Sequence, residues 1–264
     1  MQLILITGLD GSGKSTLINK LEKSSNSADI AFLRVPTIES NLFKSNDILY
    51  KTSCFINNLH LQADVEKIPQ LKVIAMFSSM LIFGKLLKEL EKKGAKLVFC
   101  ERHPLVDTPV YAHFYSGSMM NPKNMNEYVL EELNQNYSEE LKYLLSLLQL
   151  DAKVYYLSHL LLNFIHEKFS KKGIITIPEL EQIFNIGTPD KIYYLDAKPE
   201  ILMQRLITRQ SNLEAHETQK AFEKMIPVYY RTINSIDADM KIIDASSYKS
   251  LDMLFRQIIS AYAF

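Results

Sequence analysis

Three of the eight glycines in this 264-residue chain, Gly8, Gly11 and Gly13, fall within six residues, and Lys14 and Ser15 follow directly. The segment Gly8-Leu9-Asp10-Gly11-Ser12-Gly13-Lys14-Ser15 satisfies G-x-x-x-x-G-K-[ST] between an apolar run and a helical pattern. Glycines let backbone N–H groups turn inward around a phosphate with no Cβ in the way. The start of a helix adds unpaired donors and a partial positive charge. Lys14 is placed to reach β- and γ-phosphates, and the Ser15 hydroxyl to bind Mg²⁺. The alternative, a glycine-rich turn with an accidental lysine, leaves the correct flanks unexplained. The pattern implies binding of a nucleoside triphosphate.

A second group is Glu101-Arg102-His103, at the end of another apolar run. In a parallel sheet that end lies beside a phosphate-binding loop. A carboxylate there can hold Mg²⁺ or accept a proton, and an arginine can stabilise charge on a phosphoryl group in transfer. Read structurally, the pair is a solvated strand end. A third group is Arg205 with Arg209, four residues apart and so on one helix face. They suit a lid over a triphosphate, or else form an ordinary exposed cationic face. The chain has six arginines against twenty-four lysines, and Arg34, Arg102, Arg205 and Arg209 lie at strand ends or on that helix. Arginine's planar fork matches phosphate better than lysine's point charge, so its placement carries information.

These residues need a scaffold of strands and helices in alternation. Short apolar runs at 2–7, 30–35, 96–100, 191–196 and 240–244 read as strands of a buried parallel sheet. Helical patterns occupy 15–23, 69–93, 199–209 and 248–262, with Gly94 positioned to end the second. The expectation is an α/β fold in three layers, with a five-stranded, mainly parallel sheet and ligands at the strands' carboxyl ends. Residues from about 112 to 187 break the rhythm and read as a mostly helical insertion within one domain spanning 1–264.

Composition limits the function classes. Hydrophobic residues make up 47% and charged residues 23%, which suits a globular core, and the formal net charge is zero. No whole-chain basic field draws the chain to a nucleic acid polymer or an anionic membrane. No run approaches the roughly 18 apolar residues of a membrane helix. Cys54 and Cys100 form neither a disulfide framework nor a metal cluster. With no basic leader at the N-terminus, a cytoplasmic setting is expected.

The chain resembles the thymidylate kinase and deoxynucleoside kinase group of phosphate-loop kinases. GLDGSGKST looks like a thymidylate kinase loop, and Leu33-Arg34-Val35-Pro36-Thr37 is similar to the family's R-E-P-G-G-T segment. Thr188-Pro189-Asp190 leading to Leu195-Asp196-Ala197-Lys198-Pro199-Glu200 looks like its P-D-x-x-x-x-L-D-x-x-P-E run, and Asp244-Ala245-Ser246 like the segment beside adenine. The resemblance implies a three-layer phosphate-loop kinase fold, with ATP and Mg²⁺ as donor and cofactor. It implies donor contacts from Asp10, Gly11, Ser12, Gly13, Lys14, Ser15, Thr16 and Ala245, and metal contacts from Ser15 and Glu101. Catalytic roles fall to Lys14, Glu101, Arg102, Arg205 and Arg209, and acceptor contacts to Arg34, Arg102, Asp107, Phe77 and Tyr111. Phe77 and Tyr111 would stack on an acceptor base, or are simply core.

The departures are specific. Val35 stands where the family carries an acid, Ser79 or Met80 where thymidylate kinases carry an arginine, and Glu214-Ala215 where a lid Asp-Arg pair is expected. Three readings follow. The acceptor is a nucleoside monophosphate, with His159, His166, Lys168 and Lys171 of the insertion supplying cations. Alternatively, it is an unphosphorylated deoxynucleoside, in keeping with Glu101-Arg102 and the spacing to Asp107 and Tyr111. Finally, catalysis is weak and the chain is an ATP-binding regulatory module. The leucines at 144, 145, 147, 148 and 160–162 read as helix–helix packing, or as a homodimer interface.

Overall fold

The computed structural model describes residues 1–115, 127–151, 156–171, 175–209 and 217–262. Strand β1 (Gln2–Thr7) is a continuous apolar run buried from Leu3 onward, and the glycine loop connects it to helix α1 (Lys14–Ser24). Leu17, Ile18 and Leu21 form the buried face of α1. After β2 (Ile30–Arg34) come two long helices, α2 (Asp47–Glu66) and α3 (Pro69–Lys92). Gly94, at φ +97°, ends α3: its N–H donates to the Glu91 carbonyl, and the Ala95 N–H donates to the Leu90 carbonyl.

Strand β3 (Leu97–Glu101) is followed by α4 (Pro104–Tyr115), α5 (Glu127–Asn136), α6 (Ser138–Leu147), α7 (Leu157–Ile165) and α8 (Ile177–Phe184). The chain then forms β4 (Lys191–Asp196), α9 (Pro199–Thr208), α10 (Gln219–Asn234), β5 (Asp239–Asp244) and α11 (Tyr248–Tyr262). The five strands pair in the order β2-β3-β1-β4-β5, all parallel. This is the α/β fold with a five-stranded parallel sheet that the alternation of strands and helices implies.

The residues group into two compact units. One comprises 1–34, 87–110 and 187–264 and contains the sheet; the other comprises 35–86 and 111–186 and is helical. The sequence suggests one domain carrying an insertion at about 112–187. The helical unit instead also takes in α2 and most of α3. The reason lies in their apolar faces: α2 packs on α6, and Phe55 of α2 meets Tyr137 at 4.6 Å between ring centroids. Leu144, Leu145, Leu161 and Leu162 are fully buried inside that unit, which gives them a packing role.

Helix α3 also corrects the expectation that no segment is apolar enough to span a bilayer. It reaches a mean hydropathy of 1.5 over 18 residues, and 78% of that window is buried within the protein, as for a core helix. Helices α2 and α10, and the first turns of α4, are elements that the sequence reading leaves out.

Candidate active site

The sheet register brings the strand ends to one level. Ile6 of β1 and Arg34 of β2 both lie opposite Glu101 of β3, and Thr7 lies opposite Tyr194 of β4. The glycine loop leaves β1 at this level. Gly8, Gly11 and Gly13 have φ of +145°, +83° and +98°. A Cβ on Gly8 would lie 2.5 Å from the Leu195 carbonyl oxygen, so only glycine lets the loop pass the end of β4 there.

The loop fits a phosphate. Gly13 precedes α1 with no side-chain cap, and the first turn carries no acidic residue, so the helix N-terminus keeps its donors for an anion. The Ser12 hydroxyl is fully buried and, among the described residues, has no hydrogen-bond partner. Buried polar atoms are rarely left so, and a hydroxyl in this position can meet a phosphate oxygen. Thr16 lies on the exposed side of the first turn.

Two cations converge on one carboxylate in the loop. Lys14 Nζ donates to the Leu9 carbonyl at 3.0 Å and to Asp10 Oδ1 at 3.3 Å. Arg102 Nη2 donates to the same Asp10 Oδ1 at 2.6 Å. Both cationic side chains are more than nine-tenths buried. Arg102 is left-handed at φ +70°, a conformation that costs a non-glycine residue on the order of 1–3 kcal/mol and concentrates at functional sites. Beside it, Ser15 Oγ donates to Glu101 Oε1 at 2.8 Å. Those two oxygens are hard donors of the kind Mg²⁺ takes.

Asp107 is not open to an acceptor. Its side chain is fully buried: Oδ1 accepts from Thr7 Oγ1 at 2.9 Å and Tyr229 OH at 2.7 Å, and Oδ2 accepts from the His103 N–H at 2.7 Å. Arg102 Nη1 lies 3.8 Å from Oδ1. The node ties the end of β1 to the start of α4 and to α10. Burial lowers the His103 imidazole to about 3, so it stays neutral, and Nδ1 accepts from the Leu105 N–H at 3.2 Å.

The other predicted residues divide. Arg205 donates to two backbone carbonyls, Gly11 at 3.2 Å and Ser246 at 3.0 Å, and lies 5.5 Å from the Tyr248 ring centroid. It braces the glycine loop against the β5–α11 turn. Arg209 has a half-exposed side chain and donates to the buried Glu217 at 2.8 Å. Ala245 is buried, and its N–H donates to the Asp196 carbonyl at 2.6 Å. Arg34 turns back along α1, where it pairs with Glu22 and donates to Asn19 Oδ1 at 2.9 Å, instead of pointing toward the glycine loop.

Phe77 and Tyr111 belong to the helical unit and are both buried. Phe77 packs against Phe164, Phe169 and Phe184 at centroid separations of 5.7–5.9 Å, a core arrangement. Glu214 and Ala215 lie outside the described residues. Thr7, Glu217 and Tyr229 are site-supporting residues that the sequence reading missed. No local spacing marks them, because each acts through a partner elsewhere in the chain.

A thymidylate kinase family model matches residues 155–257, which begin after the glycine loop and make up under half of the chain. The chain matches no curated protein by sequence. Among solved structures, a deoxyadenosine kinase from M. mycoides, with products dCMP and a flexible dCDP bound, is similar over 98% of this chain and 100% of its own. Its identity is 16% and the TM-score 0.50, a likeness of fold. The matched segment is thus similar to the thymidylate kinases, and the fold to that of a deoxynucleoside kinase. Fold and matched segment together support a nucleoside or nucleotide kinase.

Proposed function

We propose that the protein transfers the γ-phosphoryl group of ATP, with Mg²⁺, to a nucleoside monophosphate of the dTMP kind. The observation that carries the reading is the uncapped α1 N-terminus, with buried Lys14 beside it and the Ser15–Glu101 oxygen pair next to Arg102. The loop amides and Lys14 would hold the donor's phosphates. Ser15 and Glu101 would hold Mg²⁺, which when bound neutralises phosphate charge. Arg102 would stabilise the equatorial oxygens of the phosphoryl group in transfer, with Arg209 as a second cation. Such catalysis is positioning and electrostatics, with no covalent protein intermediate.

The carboxylates favour an anionic acceptor. A hydroxyl acceptor must lose a proton, whereas a phosphate monoester is already anionic. Val35 replaces the family acid after β2, Asp107 is enclosed by three donors, Glu101 is hydrogen-bonded to Ser15, and Asp10 is held by two cations. Glu101-Arg102 favours the second reading, an unphosphorylated deoxynucleoside as acceptor, because deoxynucleoside kinases carry that pair. Cys54 and Cys100 are free thiols, in keeping with the cytoplasmic setting that belongs to this proposal.

The test is acceptor-dependent ADP formation from ATP-Mg²⁺ over a panel of deoxynucleosides and their monophosphates, with Lys14→Ala as control and a direct ATP titration. Turnover confined to monophosphates and lost in Lys14→Ala is expected. Turnover confined to nucleosides would replace the acceptor with the second one. ATP binding without turnover on any acceptor would overturn the kinase reading and leave a regulatory module.

A further inference from the structure

We infer that Asp10 is a positioning residue, a counter-charge built into the glycine loop that holds Lys14 and Arg102 until phosphate displaces it. The inference rests on the reading that this loop takes the phosphates of a nucleotide. Two cations that are more than nine-tenths buried need an anion nearby, because an unpaired charge out of water is strongly unfavourable. One oxygen, Asp10 Oδ1, answers both, at 3.3 Å to Lys14 and 2.6 Å to Arg102. The lysine's remaining bond runs to the Leu9 carbonyl of the same loop.

Asp107 cannot take this part. It is fully buried, three hydrogen bonds fix it, and it lies 3.8 Å from Arg102. Asp10 is the more exposed of the two, on the two-residue stretch between Gly8 and Gly11, where the backbone has its glycine pivots. A polyphosphate at the loop brings negative charge to the two cations that share Asp10. Like charges repel across that distance, so phosphate binding exchanges one counter-ion for another, and Asp10 lowers phosphate affinity by the strength of the pairs it gives up.

A carboxylate that only shaped the loop would act the other way: its removal would loosen the site and weaken binding. The sign of the effect therefore separates the two roles. The coupling with Arg102 does so independently: a counter-charge makes the arginine's contribution grow once residue 10 is neutral, whereas a residue that only orients the arginine makes it shrink.

The experiment is calorimetric titration of inorganic tripolyphosphate into the wild type, Asp10→Asn, Arg102→Gln and the double variant. Asp10→Asn is expected to bind about tenfold more tightly than the wild type. Arg102→Gln is expected to weaken binding about threefold in the wild type and about thirtyfold in the Asp10→Asn background. Weaker binding by Asp10→Asn, or an Arg102→Gln factor no larger in the Asp10→Asn background than in the wild type, overturns the inference. Absence of tripolyphosphate and ATP binding to the wild type overturns the phosphate-loop reading itself, a different failure. Should Asp10→Asn not fold, the wild type labelled with ¹⁵N-arginine decides. Its six arginine side chains give few signals, and the Arg102 guanidinium resonance, assigned with Arg102→Lys, must shift on tripolyphosphate addition. An unmoved resonance overturns the exchange.

Discussion

Replacing Asp107 distinguishes a buried node from a substrate ligand. Its two oxygens accept from Thr7 Oγ1, Tyr229 OH and the His103 N–H, all at 2.9 Å or less. Asp107→Ala leaves three donors without acceptors in a site closed to water, at about 1–3 kcal/mol each before relaxation, so a loss of about 3–6 kcal/mol is expected. Asp107→Asn is milder. Its carbonyl can face the His103 N–H, and the amide can face the two hydroxyls, which can rotate to accept. What is lost is the negative charge beside Arg102, 3.8 Å away, and we expect about 1–2 kcal/mol. At roughly 2–4 °C per kcal/mol for a chain of this size, the asparagine variant should melt about 2–8 °C below the wild type. Thermal melts and urea titrations of the nucleotide-free protein give the ranking, and steady-state kinetics give the acceptor KM. The node reading expects a clear loss of stability with an acceptor KM within a few-fold of wild type. Wild-type melting of Asp107→Asn, together with a tenfold or larger rise in acceptor KM, would refute the reasoning and restore the substrate contact that the family resemblance implies.

Two further outcomes follow from local geometry. Alanine at either Gly8 or Gly13 carries the left-handed cost of about 1–2 kcal/mol. At Gly8, however, the new Cβ meets the Leu195 carbonyl oxygen at 2.5 Å, whereas at Gly13 it meets a movable Leu251 methyl at 2.7 Å. Denaturant titration should therefore find Gly8→Ala the less stable variant, and the reverse order would show that the loop can shift away from β4. His103, lowered to about 3 from an ordinary 6.5, stays neutral in the folded protein where the unfolded chain takes up a proton. Its contribution is present in full above pH 6.5 and is lost as pH falls from there toward 3. Between pH 7 and 5.5 the wild type should lose about 1 kcal/mol more than His103→Asn, whose side chain can still accept from the Leu105 N–H. Equal losses in the two proteins, measured in chelator without nucleotide, would show that the imidazole takes a proton while folded.

The parts of the site that were legible in the sequence are those whose physics is local. Gly8, Gly11, Gly13, Lys14 and Ser15 act through backbone conformation and the start of one helix, so their spacing along the chain is their spacing in the site. Glu101 and Arg102 were readable because the end of a buried apolar strand is itself a location in a parallel sheet. Helix α2 and the two-segment helical unit were not readable. Their pairing joins Phe55 to Tyr137, and no periodicity within either segment encodes that contact. The Asp107 node likewise depends on Tyr229, far along the chain on α10.

The arginines show why residue type alone misleads. A planar fork that fits two phosphate oxygens fits two backbone carbonyls equally well. At Arg205 the partners are the Gly11 and Ser246 carbonyls, neutral groups on the loops the side chain joins, and a phosphate arriving there would have to dismantle the brace. Arg102 and Arg209 instead rest against carboxylates, Asp10 and Glu217, which a phosphate can replace without leaving the guanidinium uncompensated. On the proposed function, the identity of the resting partner, anion or carbonyl, would therefore separate the cations open to a reacting phosphoryl group from the one that shapes the loop. Arg34, clasped by Glu22 on α1, meets the charge criterion but not the position. On the proposed function a cation would have to satisfy both to serve the transfer, and among the described arginines Arg102, on the loop carboxylate itself, does so most directly.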